Sequence, residues 1–513
     1  MPPSPATSDA PPLTPRRLIG DLGLLLGYAV LALVWLWPAP RFWATHVAYD
    51  PGKFDATSTA DFHLIVWVLS WVAHAVWRTP LRLFDANTFY PAPLSLAYSE
   101  HLIGYLPLFG PVYWLGDNPI LALNLTAFLT YPLSAYFTYL FARRYVGPAA
   151  AALCGVLYAF SASRYLVPPH FHLLGVQYFP LILYALDRWL LWARLRDGAL
   201  LALALLLQML SSVYLMYAVA FVCAVAGPFA ILQHRERLDR RRIAGLGLVG
   251  VVVAGALVPV MLPYVRLREL GLVPEYDTAH PPLGLIPSFT RLQLERYLWK
   301  GGVGWLGYAL ALLGVSPGGT RSERFLRRLA VALVLLGVFL SLGPGFATGS
   351  RTLWSPYAFL MDVLPGFSAV RAPNRFTVIV QLGFSLLAGL GLALGGPPQR
   401  APRWCSRAGS RFPIFRCTAR RSERRCHRCT AGSRSAATAV PSSSCRAFAT
   451  SPPHAVPISA PSTGARSSTA TAPIRRSTAV TSRGSQSACR ARERSSSSSI
   501  GSTSAGSSYT GKA

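Results

Sequence analysis

Side chains that could carry out group transfer lie in a few polar stretches between long apolar segments. Three aspartates come first, at Asp50, Asp55 and Asp61. Asp61 stands where a polar stretch enters an apolar one, so its carboxylate could be partly shielded from water and act as a general base. A helix N-cap is the alternative, because an Asp side chain there accepts orphan backbone N–H groups. Asp50 and Asp55 are alternative bases, although Asp beside Pro and Gly commonly forms turns.

A metal site is a second use for the same carboxylates. Two of them, if they met in space, could hold a divalent cation, since hard cations take oxygen ligands. The sequence alone does not bring them together, and we assign no metal ligands. Near the C-terminus, Cys426 and Cys429 form a single CxxC pair. A structural zinc site needs four ligands in ordered surroundings, so we do not predict zinc there.

Five histidine, glutamate and tyrosine positions could bind a substrate. Glu100 and His101 open an apolar stretch, where they could contact hydroxyl or phosphate groups; Glu is also favoured at a helix N-terminus by the helix dipole. His170 and His172 form a His-x-His pair, which alone is a weak metal pattern and could contact sugar or phosphate or lie in an exposed loop. Tyr90 could stack on a sugar face or anchor the chain at a membrane surface.

Arg371 and Arg375 are the strongest candidates for holding an anion. They flank Pro373 just before an apolar segment, which would put them at the depth of lipid headgroups. A guanidinium group meets phosphate oxygens in a fixed fork, and it stabilises charge that develops on a departing phosphate. Anchoring to lipid phosphates is the alternative role.

The composition is that of a membrane protein. Of the 513 residues, 52% are hydrophobic and 13% are charged, about half the charged fraction of soluble domains. Apolar stretches of roughly 20 residues, enough to cross a bilayer, recur after a polar N-terminus (residues 1–17) that we expect to be disordered. We predict an all-α polytopic transmembrane bundle over residues 18–395. Its ten spans are 18–38, 118–142, 147–161, 174–193, 198–213, 214–233, 243–264, 302–316, 326–343 and 376–395.

Basic residues predict the orientation, because Lys and Arg collect in cytoplasmic loops. If the ten spans alternate, the basic clusters all fall on the side that contains the N-terminus, which is then the cytoplasm. These clusters lie at 16–17, 143–144, 194–196, 235–242 and 321–328. We therefore predict a multi-pass protein of the inner (plasma) membrane. The agreement requires that the apolar segments 61–78 and 99–116 either both cross the membrane or both stay outside it.

The first outer loop, residues 39–117, contains both of these segments. We predict that they form helices on the outer surface, because Trp67, Trp71 and Trp77 fall in the first one and tryptophan favours the headgroup level. The outer face then collects the candidate site residues. Ionisable residues are nearly absent from the spans, which argues against an ion-coupled transporter.

The last stretch, residues 396–513, is a different kind of sequence. Apolar periodicity stops, and Ser, Arg, Ala, Thr and Pro dominate. It is either a basic disordered tail or, as we favour, the product of a GC-rich gene read in the wrong frame. Because 19 of the 49 Lys and Arg lie in 401–513 and most others lie in short loops, the net charge of +29 does not indicate a nucleic-acid partner.

Several stretches resemble a known class of proteins. They are DFHLIVWVLSWVAHAVW (61–77), LFDANTFYPAPLSLAYSEHLIG (83–104), NPILALNLTAFLTYPLSAYFTYLFARRYVG (118–147), FSASRYLVPPHFHLLGVQYFPL (160–181), LSSVYLMYA (210–218) and LPGFSAVRAPNRF (364–376). Together they resemble an uncharacterised branch of bacterial polytopic membrane proteins of the GT-C glycosyltransferase class, over roughly residues 18–395. The similarity to characterised mannosyl- and aminoarabinosyltransferases is more distant.

The resemblance implies a substrate class and a reaction. The donor is a polyprenyl-phosphate sugar with its phosphate at the outer surface, and the acceptor is a lipid or surface glycan. An Asp of the first outer loop acts as base on the acceptor hydroxyl, the sugar is transferred with inversion, and basic residues hold the departing phosphate. Two alternatives stay open: a non-catalytic glycolipid-handling or envelope-assembly protein, and a transporter.

Overall fold

The computed structural model of the protein describes residues 15–47, 56–161, 164, 168–272, 302–348, 351–370 and 372–395. All of them belong to a unit that ends at Phe415, whereas the second unit, Arg416–Ala513, lies outside the described residues. The basic tail predicted over 396–513 therefore stays a prediction. The first helix already begins at Pro15, inside the stretch predicted to be disordered.

The described residues form thirteen α-helices and one short β-hairpin. The helices are α1 (Pro15–Trp35), α2 (Ala56–Arg78), α3 (Leu106–Gly116), α4 (Pro119–Ala142), α5 (Pro148–Ala159), α6 (Tyr178–Trp192), α7 (Leu195–Met209), α8 (Val213–Gln233), α9 (Arg240–Glu269), α10 (Gly304–Val315), α11 (Arg321–Ser341), α12 (Pro356–Val363) and α13 (Thr377–Gly395). The antiparallel strands β1 (Gly345–Thr348) and β2 (Arg351–Trp354) pair Gly345 with Trp354. The prediction of an all-α chain is thus correct apart from this hairpin, which lies between α11 and α12.

Each of the ten predicted spans coincides with a helix, but only some of these helices have the length that a crossing needs. The stretches long and apolar enough are Leu18–Trp35, Ala60–Arg78, Pro119–Ala142, Val213–Gln233, Arg240–Glu269 and Pro373–Gly395. Five of them are predicted spans, and the sixth, in α2, is the segment predicted to stay outside. Helices α5 and α10 have 12 residues each, and α6 and α7 have 15, or about 18–22 Å. That is short of a hydrocarbon core of about 30 Å.

Apolar surface is widely exposed, as membrane proteins require. The apolar window of α1 is only 11% buried, and that of α9 only 6%. Contiguous apolar surface of this kind has no place in water. The hydrophobic core lies between α4–α8, α11 and α13, where Phe141, Tyr158 and Phe179 are almost fully buried. The six candidate spans and these exposed faces indicate a membrane protein.

Salt bridges gather several helix ends at one end of the bundle. Arg143, just after α4, lies 2.6 Å from the Asp21 carboxylate of α1. The Asp187 carboxylate of α6 pairs with Arg144 and lies 2.6 Å from Nε2 of His234, which follows α8. These contacts join the C-terminal ends of α4, α6 and α8, and we call this end of the bundle the basic end.

Two more helices begin at the basic end. Arg242 of α9 donates to the Leu190 carbonyl of α6 at 2.8 Å. Arg321, the first residue of α11, lies 3.6 Å from the Glu236 carboxylate. The clusters predicted to share one side, at 143–144, 235–242 and 321–328, therefore share one end of the bundle.

Helix α2 has both of its ends at the opposite end of the bundle. Near its start, Asp61 lies beside His170 in the loop before α6. Near its end, the Trp77 ring centroid is 5.4 Å from that of Trp114, and Trp114 donates to the Ala73 carbonyl at 3.0 Å. Trp114 belongs to α3, which leads into the first residue of α4. Because α4 ends at the basic end, its beginning and both ends of α2 lie far from the basic end.

The second helix predicted in the first outer loop, over 99–116, is shorter than expected. Helix α3 begins only at Leu106, after a 3₁₀ turn, Ile103–Tyr105, and an irregular stretch that contains Glu100. Gly104 N donates to the Leu210 carbonyl at 2.7 Å, and a Cβ at 104 would lie 2.5 Å from Ser211 N. The segment therefore docks so closely on the α7–α8 junction that only glycine fits, and a continuous helix cannot form.

Candidate functional site

Five of the predicted site residues meet in one cluster at the end of the bundle opposite the basic end. We call it the polar cluster; it comprises Asp61, Glu100, His170, His172, Tyr214 and Arg375. Three candidate spans begin here, at Ala60, Val213 and Pro373. The 3₁₀ segment Pro168–Leu173 supplies the two histidines. Residues far apart in the sequence are thus brought together by the ends of helices and by two irregular segments.

Arg375 connects most of the polar cluster. It lies in the 3₁₀ turn Pro373–Phe376, directly before α13. Its Cζ is 4.2 Å from the ring centroid of Tyr214, and its Nη1 is 3.5 Å from Nε2 of His172. Tyr214 stands at the start of α8, and helix N-termini favour anions. A guanidinium group beside two helix N-termini is suited to hold a phosphate.

Asp61 lies at the edge of the polar cluster. Its Oδ2 is 3.9 Å from Nε2 of His170, and the two side chains are 46% and 40% exposed. The N-cap role weighed for Asp61 is wrong, because α2 begins at Ala56 and Asp61 lies within it. A half-exposed carboxylate beside an imidazole remains open to a hydroxyl group that approaches from solvent.

Both histidines of the pair tend to be neutral. Burial lowers the pKa of His170, the positive charge of Arg375 lowers it further, and Asp61 acts in the opposite direction. Burial, Arg375 and His170 together lower the pKa of His172 well below its usual value. The ring centroids are 5.8 Å apart. As neutral rings the two can accept as well as donate hydrogen bonds, so they suit a substrate with many hydroxyl groups.

Glu100 is a carboxyl group of the polar cluster with a strongly raised pKa. Burial raises its pKa to about 7, while the Ser212 hydroxyl, Arg375 and the Tyr214 N–H lower it. Both carboxyl oxygens are buried, and neither makes a hydrogen bond of normal geometry within the described residues. A buried carboxyl group that titrates near neutral pH beside a guanidinium is typical of functional sites, although structural networks also produce it.

His101 points away from the polar cluster. It is 1% exposed, its Nδ1 accepts from Ile103 N at 3.1 Å, and its ring packs against Phe84 and Tyr264. Burial lowers its pKa to about 3, so the ring is neutral. The reading of Glu100 and His101 as the start of a helix is wrong, because α3 begins at Leu106.

The structure describes only one of the remaining predicted site residues, Tyr90, and it does not join the polar cluster. Tyr90 is 96% exposed, in a turn before Pro91. Asp50, Asp55 and Arg371 lie outside the described residues, so their roles stay predictions. Within the part of the chain that the structure describes, no three His, Cys, Asp or Glu side chains come close enough to hold a metal ion.

Sequence reasoning missed Tyr214 and Arg164. Tyr214 falls in an apolar run and looks like part of a span. Arg164 follows a predicted span in the stretch FSASR, and an ionisable residue so close to apolar sequence is itself a signal of a special role. It is 5% exposed and lies 4.4 Å, at Cζ, from the Tyr131 ring centroid.

Arg164 supports the segment Pro168–Leu173, which we call the histidine loop. It donates to the hydroxyl groups of Thr130 at 2.8 Å and Ser134 at 3.2 Å on α4. It also donates to the carbonyls of Ala159 at 3.1 Å and Leu174 at 2.7 Å. It thereby ties α4 and the end of α5 to the residue that follows the segment of His170 and His172.

Comparison with known proteins finds no match for this chain. No protein-family model, no curated protein and no solved structure matches this chain. The resemblance to GT-C glycosyltransferases therefore remains a prediction from the motifs quoted above.

Proposed function

We propose that the protein is an inner-membrane glycosyltransferase of the GT-C type, which transfers a sugar from a polyprenyl-phosphate donor to a lipid or glycan acceptor on the outer face. The observation that carries this proposal is the meeting of Asp61, Glu100 and Arg375 with two neutral histidines at the ends of candidate spans. A carboxylate and a guanidinium at the depth of lipid headgroups match a reaction in which a hydroxyl loses a proton and a phosphate departs.

In this proposal the parts of the polar cluster have separate tasks. Asp61, which solvent reaches, accepts the proton of the acceptor hydroxyl. Arg375 holds the phosphate and stabilises the charge that it gains as the sugar leaves. His170 and His172 contact sugar hydroxyl groups. Glu100, when ionised, keeps the Arg375 guanidinium in place.

The arrangement of α2 fits a surface position in the membrane. Both of its ends lie far from the basic end, as a helix on the outer surface would have them. Helix α8 has 21 residues, or about 32 Å, and runs from the polar cluster to the basic end. The polar cluster would therefore lie at the level of the outer headgroups, where a lipid-linked phosphate could enter from the side.

The proposal is tested with the purified full-length protein in liposomes. A panel of polyprenyl-phosphate sugars is supplied together with bacterial lipid extract, and the released polyprenyl phosphate is measured by mass spectrometry. We expect release by the wild type, a loss of at least about 100-fold in Asp61→Asn, and normal release in the control Asp117→Asn. Asp117 is an exposed aspartate of the same loop, with φ of 45°, which asparagine tolerates.

Two outcomes would redirect the assignment. Binding of polyprenyl phosphate that depends on Arg375, without release from any donor, would identify a glycolipid-handling protein. Movement of a substrate across the liposome membrane without a polyprenyl donor would identify a transporter. Full activity in Asp61→Asn would remove Asp61 from the mechanism.

A further inference from the structure

We propose that the basic end of the bundle contains a binding site for the phosphate of an anionic phospholipid, in a cavity between α8 and α11. This site is separate from the polar cluster and goes beyond the proposed function. The cavity has a volume of about 360 Å³ and is lined by Phe229, Leu232, Gln233, Arg235, Arg321, Arg324, Phe325 and Arg328. It therefore combines an apolar wall with four guanidinium groups.

The arginines face the cavity because of their spacing on α11. Positions 321, 324 and 328 follow the i, i+3, i+7 pattern of one helix face. Arg327, which falls off that face, instead donates to the loop carbonyls of Gly314 at 2.9 Å and Gly318 at 3.0 Å. Arg327 therefore binds the loop before α11, whereas the other three arginines of α11 line the cavity.

The positive charge of the cavity is only partly balanced. Arg321 lies 3.6 Å from the exposed Glu236 carboxylate, and Arg324 donates to the Gly319 carbonyl at 2.7 Å. The guanidinium groups of Arg235 and Arg328 make no ion pair or hydrogen bond with another described residue. The four guanidinium groups outnumber the neighbouring carboxylates, which are Glu236 and the Glu323 of the α11 capping box, so the site favours a phosphate.

The apolar wall points to a lipid as the source of that phosphate. The cavity lies where the candidate span Val213–Gln233 ends, so a headgroup there would sit at the boundary of the hydrocarbon layer. Phe229 and Phe325 form part of the lining, and the Leu232 side chain is 65% exposed. Basic pockets between transmembrane helices bind anionic headgroups in this manner. Inorganic phosphate is also an anion, but it has no acyl chain that could pack against the apolar wall.

The test uses the full-length protein in a neutral detergent with equal amounts of phosphatidylglycerol and phosphatidylcholine. Native mass spectrometry measures which lipid is retained. We expect the wild type to prefer phosphatidylglycerol and Arg324→Gln/Arg328→Gln to lose about tenfold or more of that preference. The matched control Arg240→Gln/Arg241→Gln removes the same charge from the start of α9 and should keep the preference. Equal losses in the two variants would overturn the proposal.

Two further measurements keep the test decisive. If the double variant does not fold, Gln233→Glu, which places a negative charge in the lining, should also lower phosphatidylglycerol retention; unchanged retention would overturn the proposal. The melting temperature is then measured with dioctanoyl phosphatidylglycerol or with inorganic phosphate. Protection by the lipid alone supports the lipid site, whereas equal protection by inorganic phosphate overturns the lipid assignment in favour of a free phosphate site.

Discussion

The guanidinium of Arg375 lies 4.2 Å from the ring centroid of Tyr214, although 160 positions separate the two residues in the sequence. The ring holds the cation at the start of α8 and α13, beside Nε2 of His172. This contact fixes the position of the guanidinium group of the polar cluster. The proposed phosphate site thus depends on an aromatic ring that itself carries no charge.

Replacing Tyr214 should therefore weaken phosphate binding. A cation–π contact contributes about 0.5–2 kcal/mol, so we expect Tyr214→Leu to raise the Kd for polyprenyl phosphate roughly 2- to 30-fold. Tyr214→Phe keeps the ring and should change the Kd little. Microscale thermophoresis in detergent measures both values. Equal effects of the two variants would show that the hydroxyl group matters and the ring does not.

Glu100 should make the stability of the protein depend on pH. Its pKa is about 7, compared with about 4.3 for a free glutamate. Between these values the folded protein holds a proton that the unfolded chain releases. The resulting stability is full below about pH 4.3 and is lost as the pH rises through 7. It amounts to at most about 4 kcal/mol.

This pH dependence can be isolated with one variant. The lowered pKa values of His101, His170 and His172 make stability rise with pH in both proteins, so the two proteins are compared with each other. From pH 5 to pH 8 the melting temperature in detergent should fall more, or rise less, in the wild type than in Glu100→Gln, which stays uncharged. Asp117→Asn serves as the control and should follow the wild type. The same slope in Glu100→Gln and the wild type would mean that another group accounts for the pH dependence.

Removing Arg164 should loosen the histidine loop. Arg164→Met keeps much of the volume but leaves the carbonyls of Ala159 and Leu174 without this donor. An unsatisfied buried group costs about 1–3 kcal/mol, which outweighs the benefit of removing a buried charge. We expect a melting temperature several degrees lower, with no change in Arg241→Met, where the side chain is exposed. An unchanged melting temperature in Arg164→Met would mean that desolvation of the charge offsets its hydrogen bonds.

Labelling of introduced cysteines can show whether α2 lies on the membrane surface or crosses the membrane. Both ends of α2 lie far from the basic end, so His63→Cys and Thr79→Cys should react with a membrane-impermeant maleimide from the same side of intact vesicles. Arg241→Cys, at the basic end, should react only from the other side. The variants are made in a background without natural cysteines. Labelling of positions 63 and 79 from opposite sides would mean that α2 crosses the membrane.

The sequence by itself was enough to find most of the helices and to predict that the basic clusters around 143, 235 and 321 share one end of the bundle. Apolar runs long enough for a helix fold as helices because no other element satisfies the backbone in an apolar environment. Alternation of such helices then carries the clusters around 143, 235 and 321 to the same end. These are local and periodic features, so the residue order alone contains them. The composition likewise indicated a membrane protein.

Only the tertiary structure decided which polar residues meet. Asp61, Glu100, His172 and Arg375 were chosen separately, and their convergence depends on irregular segments whose course no periodicity encodes. The neighbouring residues Glu100 and His101 illustrate this, since one enters the polar cluster and the other packs against Phe84. The close contact between Gly104 and the α7–α8 junction delays the start of α3 to Leu106. Contacts between distant segments here outweigh local helix propensity. For the same reason the sequence could not reveal that Tyr214, in an ordinary apolar run, supports Arg375.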